Sequence, residues 1–429
     1  MRILILGSGA REHAIAWKLK NEIGSDNIYI SPGNAGTQMC GTNANIGVSD
    51  FESLKSYCLE YNIDTIFPGP EEAIANGVRD YFEASNETKH IYVFSPDKHA
   101  GQLESSKAFA KEFMQELSIP TAAYKSFTIN ELHEGYSFLE SLKPPYVLKA
   151  DGLAAGKGVL IVDDLDEAKK SLNEMITNQK FGSASNKVVI EEFLDGIEFS
   201  VFALTDGENY VIFPEAKDYK RIGEGDKGLN TGGMGAISPV PFYTSDVHDK
   251  TMNQIVIPTI NGLKSKSLNF RGFVFFGLIL VNGNPMVIEY NARLGDPETE
   301  VIIPRLDESL SQMITDAKHG KLSSRIAKKI SKFAATVFAV SGGYPEQYEK
   351  GKKIDDFSES DTLFHAGTKR DNNGLFTNGG RVLAATSYGE SMDEALKSSY
   401  ITLTKVNFDK MVYRKDIGHD LKKYSNGSN

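Results

Sequence analysis

A short run of glycines and lysines between two apolar segments is the feature that most constrains how this chain can fold. Apolar residues at 146–148 precede the run, and apolar residues at 159–162 follow it. Strand-forming residues on both sides of a small-residue loop predict a β-hairpin with an exposed tip. Backbone N–H groups in such a tip can approach an anion closely, and flanking lysines add positive charge. We therefore expect a phosphate-covering loop built from Lys149, Gly152, Gly156, Lys157 and Gly158.

The spacing of this run excludes the P-loop, whose pattern is G-x-x-x-x-G-K-[ST]. Only three residues separate Gly152 from Gly156, and Gly158 follows Lys157 where the P-loop requires Ser or Thr. The run also leads into an apparent strand, whereas a P-loop leads into a helix. A glycine-rich surface hairpin without a ligand remains the alternative, although the two lysines disfavour it.

Length, charge and cysteine content exclude several classes of protein. A chain of 429 residues is too long for one ordinary core and predicts about three domains. Its 40% apolar and 24% charged residues are typical of a soluble globular protein, and the net charge of −10 disfavours general nucleic-acid binding. Because Cys40 and Cys58 are the only cysteines, no disulfide framework is expected.

The chain shows no segment that predicts secretion or membrane insertion. Met1 leads directly into apolar residues 3–6, so we expect no signal peptide. The longest apolar run, residues 272–281, is about half the length that spans a bilayer. The eight histidines lack the spacing of a zinc site. We therefore expect a cytoplasmic protein that binds neither membranes nor nucleic acid.

Residues 1 to about 104 alternate between short apolar runs and helix-forming segments. The predicted strands are Ile3–Leu6, Ile28–Ile30, Thr65–Phe67 and Ile91–Phe94. This alternation predicts a parallel sheet with helices on its faces. Ligands of such sheets bind at the carboxyl ends of the strands.

Polar, glycine-containing turns follow three of these strands, at residues 7–12, 31–37 and 68–71. The first resembles the dinucleotide fingerprint, but Glu12 replaces its third glycine and a Ser-Pro pair stands where an acidic residue would hold the ribose. A nicotinamide site is therefore not expected. One interpretation is that the turns bind a small phosphorylated ligand through their amides and Arg11. The alternative is that the glycines only allow the chain to make tight turns. The candidate ligand contacts are Gly9, Arg11, Glu12, Gly33, Asn34, Gly36, Thr37, Gly69, Pro70 and Glu71.

The pattern changes between residues 105 and 330. The serine pair at 105–106 can cap a helix that carries Lys107 and Lys111. A helix over 165–178 and a strand over 187–192 are predicted after the hairpin. This section therefore mixes helices with strands.

Two polar segments of this section are candidates for ligand contacts. Residues 191–194 end the predicted strand and could offer a backbone donor and acceptor to a purine, while Glu198 could accept from ribose hydroxyls. Ordinary surface carboxylates are the alternative. Residues 218–235 are long, polar and glycine-rich, so we expect an irregular segment that is either functional or disordered. Lys220 and Arg221 in this segment favour an anion as its ligand.

Two further strands are predicted at 273–281 and 286–290, joined through an Asn-Gly pair that favours a hairpin. Alternation places Val287, Glu289, Asn291 and Arg293 on one face of the second strand and its continuation. Two neighbouring oxygen ligands suit magnesium, and an arginine beside them can bind a carboxylate or phosphate bidentately. An edge strand with a solvated polar face is the alternative.

The last section, from about residue 331, begins with a predicted strand at 333–340 and includes a predicted helix near 392–406. Lys369 and Arg381 are candidate partners for a substrate phosphate. Ordinary surface cations are the alternative.

These motifs follow one another in a characteristic order over nearly the whole chain. They are Gly7–Glu12, Pro32–Thr37, Gly69–Glu71, Gln102–Glu104 with Ser106-Lys107, Lys149–Val159, Asn230–Gly235, Arg293–Thr299 and the segments around His365 and Arg381. Together they resemble the phosphoribosylamine–glycine ligase (glycinamide ribonucleotide synthetase) family of the ATP-grasp superfamily. Asn230–Gly235 and Arg293–Thr299 are the most specific.

The resemblance implies an α/β fold that is α+β in its ATP-grasp part. Residues 1–104 would form an N-terminal domain that has a parallel sheet between helix layers and binds substrate. Residues 105–330 would form the ATP-grasp domain, with a small lid at about 124–190, and residues 331–429 a C-terminal mixed β/α domain. ATP would lie between the lid and the part that carries Glu289.

The resemblance also implies an activity. The enzyme would ligate glycine to 5-phosphoribosylamine at the expense of ATP in de novo purine biosynthesis, through glycyl phosphate. Its cofactors would be ATP and Mg²⁺ or Mn²⁺, with Glu289 and Asn291 as metal ligands and Arg293 and Lys149 as catalytic residues. The implied nucleotide contacts are Lys107, Lys149, Gly152, Gly156, Lys157, Gly158, Glu191, Glu192, Phe193, Leu194 and Glu198. The further substrate contacts are Lys220, Gly232, Gly233, Arg293, Lys369 and Arg381.

The chain departs from the family pattern at a few positions. Ala292 and Leu294 replace the cysteine and phenylalanine that often flank the arginine, and residues 273–281 lack the acidic metal ligand of many ATP-grasp enzymes. Because the chain ends at Asn429, we expect no fused partner enzyme, and we expect a monomer or weak homodimer. The alternatives are another ATP-grasp ligase of purine metabolism and a non-catalytic nucleotide-binding module.

Overall fold

The N-terminal sheet consists of five parallel strands in the order β3-β2-β1-β4-β5. The computed structural model describes residues 1–153, 158–355 and 362–425. The strands are β1 (Ile3–Gly7), β2 (Ile28–Pro32), β3 (Thr42–Asn43), β4 (Thr65–Pro68) and β5 (Tyr92–Val93). The helices are α1 (Ala10–Ile23), α2 (Phe51–Glu60), α3 (Glu71–Ala75), α4 (Val78–Ala84) and α5 (Gln102–Ser105).

Alternate residues of β1 pack on opposite layers of helices. Ile3 and Ile5 lie in one apolar cluster with α1, whereas Leu4 and Leu6 lie in another with α2 and α4. All four side chains are fully buried, as expected for a central parallel strand that is covered on both faces. The predicted parallel sheet is therefore confirmed.

The next section forms a four-stranded antiparallel sheet, called here the lid sheet, in the order β6-β9-β7-β8. Its elements are α6 (Lys107–Glu116), β6 (Tyr124–Thr128), α7 (Leu132–Ser141), β7 (Tyr146–Ala150), β8 (Val159–Val162), α8 (Leu165–Thr177) and β9 (Lys187–Glu192). Apolar residues of α7 and α8 pack against the sheet. The predicted hairpin is confirmed, because β7 pairs with β8 and Lys149 lies opposite Val159. Gly156 and Lys157, predicted for its tip, lie outside the described residues.

A second large sheet of this section, in the order β17-β16-β10-β11-β18, faces the lid sheet across a cleft. The strands of this section are β10 (Ile197–Thr205), β11 (Tyr210–Ile212), β12 (Lys217–Asp218), β13 (Arg221–Gly223), β14 (Lys227–Asn230), β15 (Gly235–Ser238), β16 (Gly272–Val281), β17 (Asn284–Asn291) and β18 (Arg325–Ile326). The helices are α9 (Ser245–Thr251), α10 (Ile257–Ser265), α11 (Thr299–Arg305) and α12 (Leu310–Lys318).

A two-residue turn joins β16 to β17. Asn282 and Gly283 both have positive φ, 49° and 76°, and Val281 pairs with Asn284. These are the features of a type I′ turn, whose twist matches that of the flanking strands. The hairpin predicted from the Asn-Gly pair is therefore confirmed.

A β-bulge at Ile288 changes the alternation along β17. Gly277 lies opposite Glu289, but the next residue of β16, Leu278, lies opposite Val287. Because the bulge inserts one residue into β17, side chains before and after it point to opposite faces. The prediction that Val287 shares the face of Glu289 was therefore wrong, and Val287 is fully buried in the core beside Tyr290.

Residues 218–235 are more regular than the sequence suggested. They include the two-stranded β13–β14 sheet, whereas we expected an irregular segment. Gly225 and Asp226, between the two strands, have φ of 67° and 52°, so these residues provide the turn. The expectation of an irregular segment was wrong for this reason.

The last section completes a six-stranded sheet in the order β12-β15-β19-β24-β21, with β25 on β19. Its elements are β19 (Phe333–Ser341), β20 (Lys353–Ile354), β21 (Leu363–His365), β22 (Thr368–Asp371), β23 (Gly374–Thr377), β24 (Arg381–Gly389), α13 (Met392–Leu403), β25 (Met411–Val412) and α14 (Lys422–Ser425). Because β12 and β15 precede residue 331, this sheet contains strands from both sides of the predicted 330/331 boundary. Strands β20, β23 and β22 form a small separate sheet.

The helices of the described residues are too short or too polar to cross a lipid bilayer.

Candidate active site

The cleft between the lid sheet and the β16–β17 hairpin brings together side chains from four sections of the chain. Its polar lining residues are Glu71, Glu104, Lys107, Lys111, Lys149, Glu191, Glu289, Asn291 and Arg293. Its apolar lining includes Leu103, Met114, Leu153, Val159 and Ile288. Three lysines beside apolar walls suit a ligand that combines phosphates with a flat ring.

Helix α6 positions two of these lysines. Ser106 caps the helix by accepting from the Phe109 N–H at 3.1 Å, as predicted from the serine pair. Lys107 and Lys111 are four residues apart and therefore lie on one face of the helix. Burial lowers the pKa of Lys107, although the negative charge of Glu289 opposes this effect. Lys107 also donates to the carbonyl oxygen of Gly152 at 3.2 Å, at the start of the glycine-rich loop.

Glu191 on β9 is held between two lysines. Its carboxylate lies 2.9 Å from Nζ of Lys111 and 2.9 Å from Nζ of Lys149, and all three side chains are buried. Burial opposes ionisation of Glu191, but the two lysines outweigh it and lower the pKa of Glu191. Burial also lowers the pKa of Lys111 to about 8, although Glu191 favours its charged form. The trio carries one net positive charge when both lysines are protonated.

Glu289 and Asn291 lie on the cleft face of β17, after the bulge. Both are half-buried, whereas Tyr290 between them points into the core. The hydroxyl groups of Tyr290 and Thr259 form a hydrogen bond of 2.9 Å there. A Cβ added at Gly277, opposite Glu289, would lie 3.0 Å from Cγ of Glu289. Gly277 on the neighbouring strand β16 therefore leaves space for the Glu289 side chain, and a larger residue at position 277 would crowd it.

The oxygen donors of Glu289 and Asn291 fit a hard divalent cation such as Mg²⁺. Among the residues that the structure describes, no group of three or more His, Cys, Asp or Glu side chains is arranged for a metal. A cation held by this pair would therefore need phosphate oxygens of a ligand and water molecules to complete its coordination, as Mg²⁺ commonly does.

Arg293 is enclosed by two carboxylates. Its Nη2 lies 2.9 Å from Oε1 of Glu104, and its Nε lies 3.3 Å from Oε2 of Glu71. Burial raises the pKa of Glu104 despite Arg293, and the charge of Glu71 adds to this effect. Burial also opposes ionisation of Glu71, but Arg293 and Arg11 outweigh it and lower the pKa of Glu71.

Glu192 and Glu198, two of the predicted nucleotide contacts beyond Glu191, have protein partners in the structure. Glu192 accepts from the Ala123 N–H at 2.8 Å, and Phe193 is 39% exposed. Glu198 pairs with Lys220 at 2.6 Å, and this lysine lowers the pKa of Glu198. A contact between Glu198 and a ribose remains a prediction.

The predicted turn residues of the N-terminal sheet bond mainly to one another. Glu12 accepts from the Gly9 N–H at 2.6 Å and from Nε of Arg11 at 2.7 Å. Asn34 accepts from the amides of Gly36 and Thr37 at 2.8 and 3.0 Å. These side chains shape the turns, and Glu71 is the one from this set that lines the cleft.

The two predicted cations of the last section differ in their surroundings. Arg381 donates to the carbonyl oxygens of Gly232, Gly233 and Asp296 at 2.7, 3.3 and 3.1 Å. Lys369 is exposed on β22. Neither lines the cleft as far as the described residues show, so their role in substrate binding remains a prediction.

Glu104 and Lys111 were named in the sequence motifs but were not assigned to the site, although both line the cleft. The spacing of Lys111 from Lys107 was a usable signal, because residues four apart share a helix face. Leu103, Met114 and Ile288 carry no polar group that could have identified them. Their place in the cleft follows from packing between distant segments.

The fold and the cleft together define an ATP-grasp protein. A small antiparallel sheet with a glycine-rich loop faces a hairpin that carries a Glu-x-Asn-x-Arg series, and lysines lie between them. The biotin carboxylase domain of Hydrogenobacter thermophilus 2-oxoglutarate carboxylase, solved with MgADP and bicarbonate, has the same fold. It has a TM-score of 0.72 at 15% identity and covers 96% of this chain and 91% of its own.

Closer similarities define the family. Residues 1–104, 105–299 and 334–420 match the N domain, the ATP-grasp (A) domain and the C domain of phosphoribosylglycinamide synthetase. A phosphoribosylamine–glycine ligase of Fusobacterium nucleatum is 41% identical over 97% of this chain and 98% of its own length. The crystal structure of phosphoribosylamine–glycine ligase from Thermotoga maritima has a TM-score of 0.84 at 37% identity, covering 97% and 100% of the two chains. The chain therefore belongs to the phosphoribosylglycinamide synthetase family.

Family membership confirms the resemblance, the fold class and the enzyme class that the sequence predicted. The chain is an ATP-grasp ligase of purine biosynthesis, from a family that binds ATP together with a divalent metal.

Proposed function

We propose that this enzyme joins glycine to 5-phosphoribosylamine and converts ATP to ADP and phosphate, with glycinamide ribonucleotide as the product. The convergence of Lys149, Glu289, Asn291 and Arg293 in one cleft carries this proposal. A lysine, a pair of oxygen ligands and an arginine in one cleft provide the charges that phosphoryl transfer to a carboxylate requires. The names of the full-length relatives supply the two substrates.

The lysines of the cleft and the amides of the glycine-rich loop hold the nucleotide. Lys149 and Lys107 neutralise phosphate charge, and Leu103, Met114 and Ile288 pack against the base. The proposed loop contacts are Gly152, Gly156, Lys157 and Gly158. The segment from Glu191 to Leu194 supplies backbone groups to the purine edge, and Glu198 supplies its carboxylate to the ribose.

Glu289 and Asn291 would hold the divalent cation, Mg²⁺ or Mn²⁺. Such a cation, when bound, neutralises charge on the β- and γ-phosphates of ATP. The two protein ligands come from one face of β17, so the strand fixes their separation.

Arg293 holds the glycine carboxylate next to the γ-phosphate. A carboxylate oxygen attacks the γ-phosphorus, the bond to the bridging oxygen breaks, and ADP leaves. The amine of phosphoribosylamine then attacks the acyl carbon of glycyl phosphate, loses a proton and expels phosphate. Positioning and charge neutralisation provide the catalysis, because neither step requires a covalent bond to the protein.

The N-terminal turns, the segment around residues 220–233 and the last section form the remainder of the substrate site. Candidate contacts to phosphoribosylamine are Gly9, Arg11, Glu12, Gly33, Asn34, Gly36, Thr37, Gly69, Pro70, Glu71, Lys220, Gly232, Gly233, Lys369 and Arg381. We take residues 1–104, 105–330, with its lid at about 124–190, and 331–429 as the three domains. We also propose that the enzyme is cytoplasmic and acts as a monomer or weak homodimer.

Measurement of phosphate release tests this function. The enzyme, ATP and Mg²⁺ are supplied with glycine, with freshly prepared phosphoribosylamine, or with both. Release that requires both substrates, with an equal amount of glycinamide ribonucleotide, is the expected result. Release with a different carboxylate or amine, and none with this pair, would identify another ligase of the class.

A further inference from the structure

Besides Glu71, a second carboxylate, that of Glu104, lies in the cleft beside Arg293. It lies on the single-turn helix α5, and its side chain is 6% exposed. One oxygen, Oε1, lies 2.9 Å from Nη2 of Arg293. The other, Oε2, accepts from the Ala292 N–H at 2.8 Å. One carboxylate therefore holds both the guanidinium of Arg293 and the backbone immediately before it.

The two carboxylates around Arg293 are not equivalent. Glu104 uses both oxygens and is almost completely buried, whereas Glu71 makes one contact of 3.3 Å and is 34% exposed. Nη1 of Arg293 donates to its neighbouring carbonyl, Leu294 O, at 3.2 Å. Both terminal nitrogens of the guanidinium thus have fixed partners, while the Nε edge faces the more exposed Glu71.

Arginine can hydrogen-bond a substrate carboxylate only when its guanidinium is held at the correct position and orientation. An arginine side chain has several rotatable bonds, so a fixed partner removes conformations that cannot bind substrate. Ala292 lies between Asn291 and Arg293, so its anchored N–H also fixes the strand end that carries both side chains. The contact between Glu104 and Arg293 thus joins α5 to the end of β17.

We propose that Glu104 is a positioning residue that holds Arg293 in place for the glycine carboxylate. This inference rests on the proposed function, because it gives Arg293 the glycine carboxylate as its ligand. Glu104 acts through the charge that it presents to Arg293. Its hydrogen bond to the Ala292 N–H alone is insufficient for this role.

Two substitutions separate the charge of Glu104 from its hydrogen bond. Glu104→Gln keeps an oxygen for the Ala292 N–H but removes the negative charge, whereas Glu104→Ala removes both. We expect both variants to lower kcat/KM for glycine by about tenfold or more, because Arg293 is no longer held. In Glu104→Gln, which keeps an acceptor for the Ala292 N–H, the KM for ATP should stay within about twofold of the wild-type value. The thermal midpoint of Glu104→Gln should remain close to that of the wild type.

Glu308→Gln is the matched control. Like Glu104, Glu308 pairs with an arginine, Arg325, at 2.8 Å and accepts from a backbone N–H, that of Lys328. It does not line the described part of the cleft. Its substitution should leave both KM values unchanged.

Three results would overturn the inference. Wild-type kinetics in Glu104→Gln with losses only in Glu104→Ala would show that Glu104 merely satisfies the Ala292 N–H. Equal losses for glycine and ATP in Glu104→Gln would show a general structural role. Normal kinetics in both variants would show that Arg293 needs no such partner.

Arg293→Ala separates this inference from the proposed function. If Arg293→Ala retains wild-type turnover with glycine, the proposed role of Arg293 fails, and the inference fails with it. If Arg293→Ala is inactive while Glu104→Gln is normal, only the role of Glu104 fails.

Discussion

At the scale of single residues, the arrangement of Lys111, Glu191 and Lys149 shows how charge can be buried in the cleft. A lone buried carboxylate or ammonium is costly, so such groups occur in pairs or networks. Glu191 lies 2.9 Å from each lysine, so each charge has a partner before a ligand arrives. The remaining positive charge faces the cleft, where it can attract a phosphate.

The lowered pKa of Lys111 predicts a pH-dependent contribution to stability. Burial lowers this pKa from 10.5 to about 8, so between these values the unfolded chain binds more protons at this residue than the folded one. Stability rises with pH wherever the unfolded state binds more protons. We therefore expect the free energy of unfolding of the wild type to rise relative to that of Lys111→Met between pH 8 and 10.5.

Urea unfolding of both proteins at several pH values in this range measures the difference. Other groups titrate there too, especially tyrosines, and the comparison with Lys111→Met cancels their effect. A flat difference would show that Lys111 titrates as an ordinary lysine, and a difference that falls with pH would show that folding raises its pKa; either result contradicts the prediction.

The oxygen pair on β17 predicts a loss of metal-dependent turnover on substitution. Glu289→Gln keeps the shape of the side chain but removes a charge from the proposed metal site. We expect turnover to fall by about 100-fold, because charge on the transferring phosphate is less well neutralised. The half-saturating Mg²⁺ concentration should rise, and the thermal midpoint should barely change.

Glu208→Gln serves as a surface control for this variant, since Glu208 pairs with Lys264 and both are exposed. Steady-state rates over a range of Mg²⁺ concentrations are the measurement. Near-normal turnover in Glu289→Gln at low Mg²⁺ would rule out the metal assignment.

At the scale of elements, Asp151 connects the glycine-rich loop to helix α6. It follows β7, and its carboxylate accepts from the Ala108 N–H at 2.7 Å and from the Ser106 hydroxyl at 3.0 Å. Its carbonyl oxygen accepts from the Lys107 N–H at 3.2 Å. The start of the loop and the lysine-bearing face of α6 are thereby held together.

Asp151→Ala should weaken ATP binding more than it weakens the fold. Loss of a helix-capping acceptor costs about 1 kcal/mol, and the same loss should displace Lys107 from the phosphates. Asp164→Ala is a matched control, because Asp164 caps α8 at 2.9 Å and is absent from the described cleft lining. We expect similar thermal midpoints for the two variants, with a rise of about tenfold in the KM for ATP only in Asp151→Ala. Equal KM values would contradict the proposed link.

The elements themselves were largely predictable because their signals are local. The Asn282-Gly283 turn and the strands beside the glycine-rich loop follow from residue types and short spacings. The bulge at Ile288 was not predictable, since its sequence alternates no differently from that of a regular strand. It changes which side chains face the cleft, so the predicted grouping of Val287 with Glu289 failed while that of Glu289 with Asn291 remained consistent with the fold.

At the scale of the whole molecule, buried contacts join distant sections around the cleft. Nδ2 of Asn34 donates to the carbonyl oxygen of His365 at 2.7 Å, and Nη1 of Arg11 donates to that of Leu294 at 3.0 Å. Such contacts join residues hundreds of positions apart, so periodicity and spacing give no information about them. The resemblance to a family supplied the expected arrangement, but it did not predict the contact of Glu104 with Arg293 or the position of Glu191 between two lysines.

The most direct test of the account follows oxygen from glycine into phosphate. Glycine labelled with ¹⁸O in both carboxylate oxygens is incubated with the enzyme, ATP, Mg²⁺ and phosphoribosylamine, and the released phosphate is analysed by mass spectrometry. Attack of the carboxylate on the γ-phosphate, followed by amide formation, predicts one ¹⁸O in each phosphate and one in each glycinamide ribonucleotide. Unlabelled phosphate formed together with glycinamide ribonucleotide would contradict activation through glycyl phosphate.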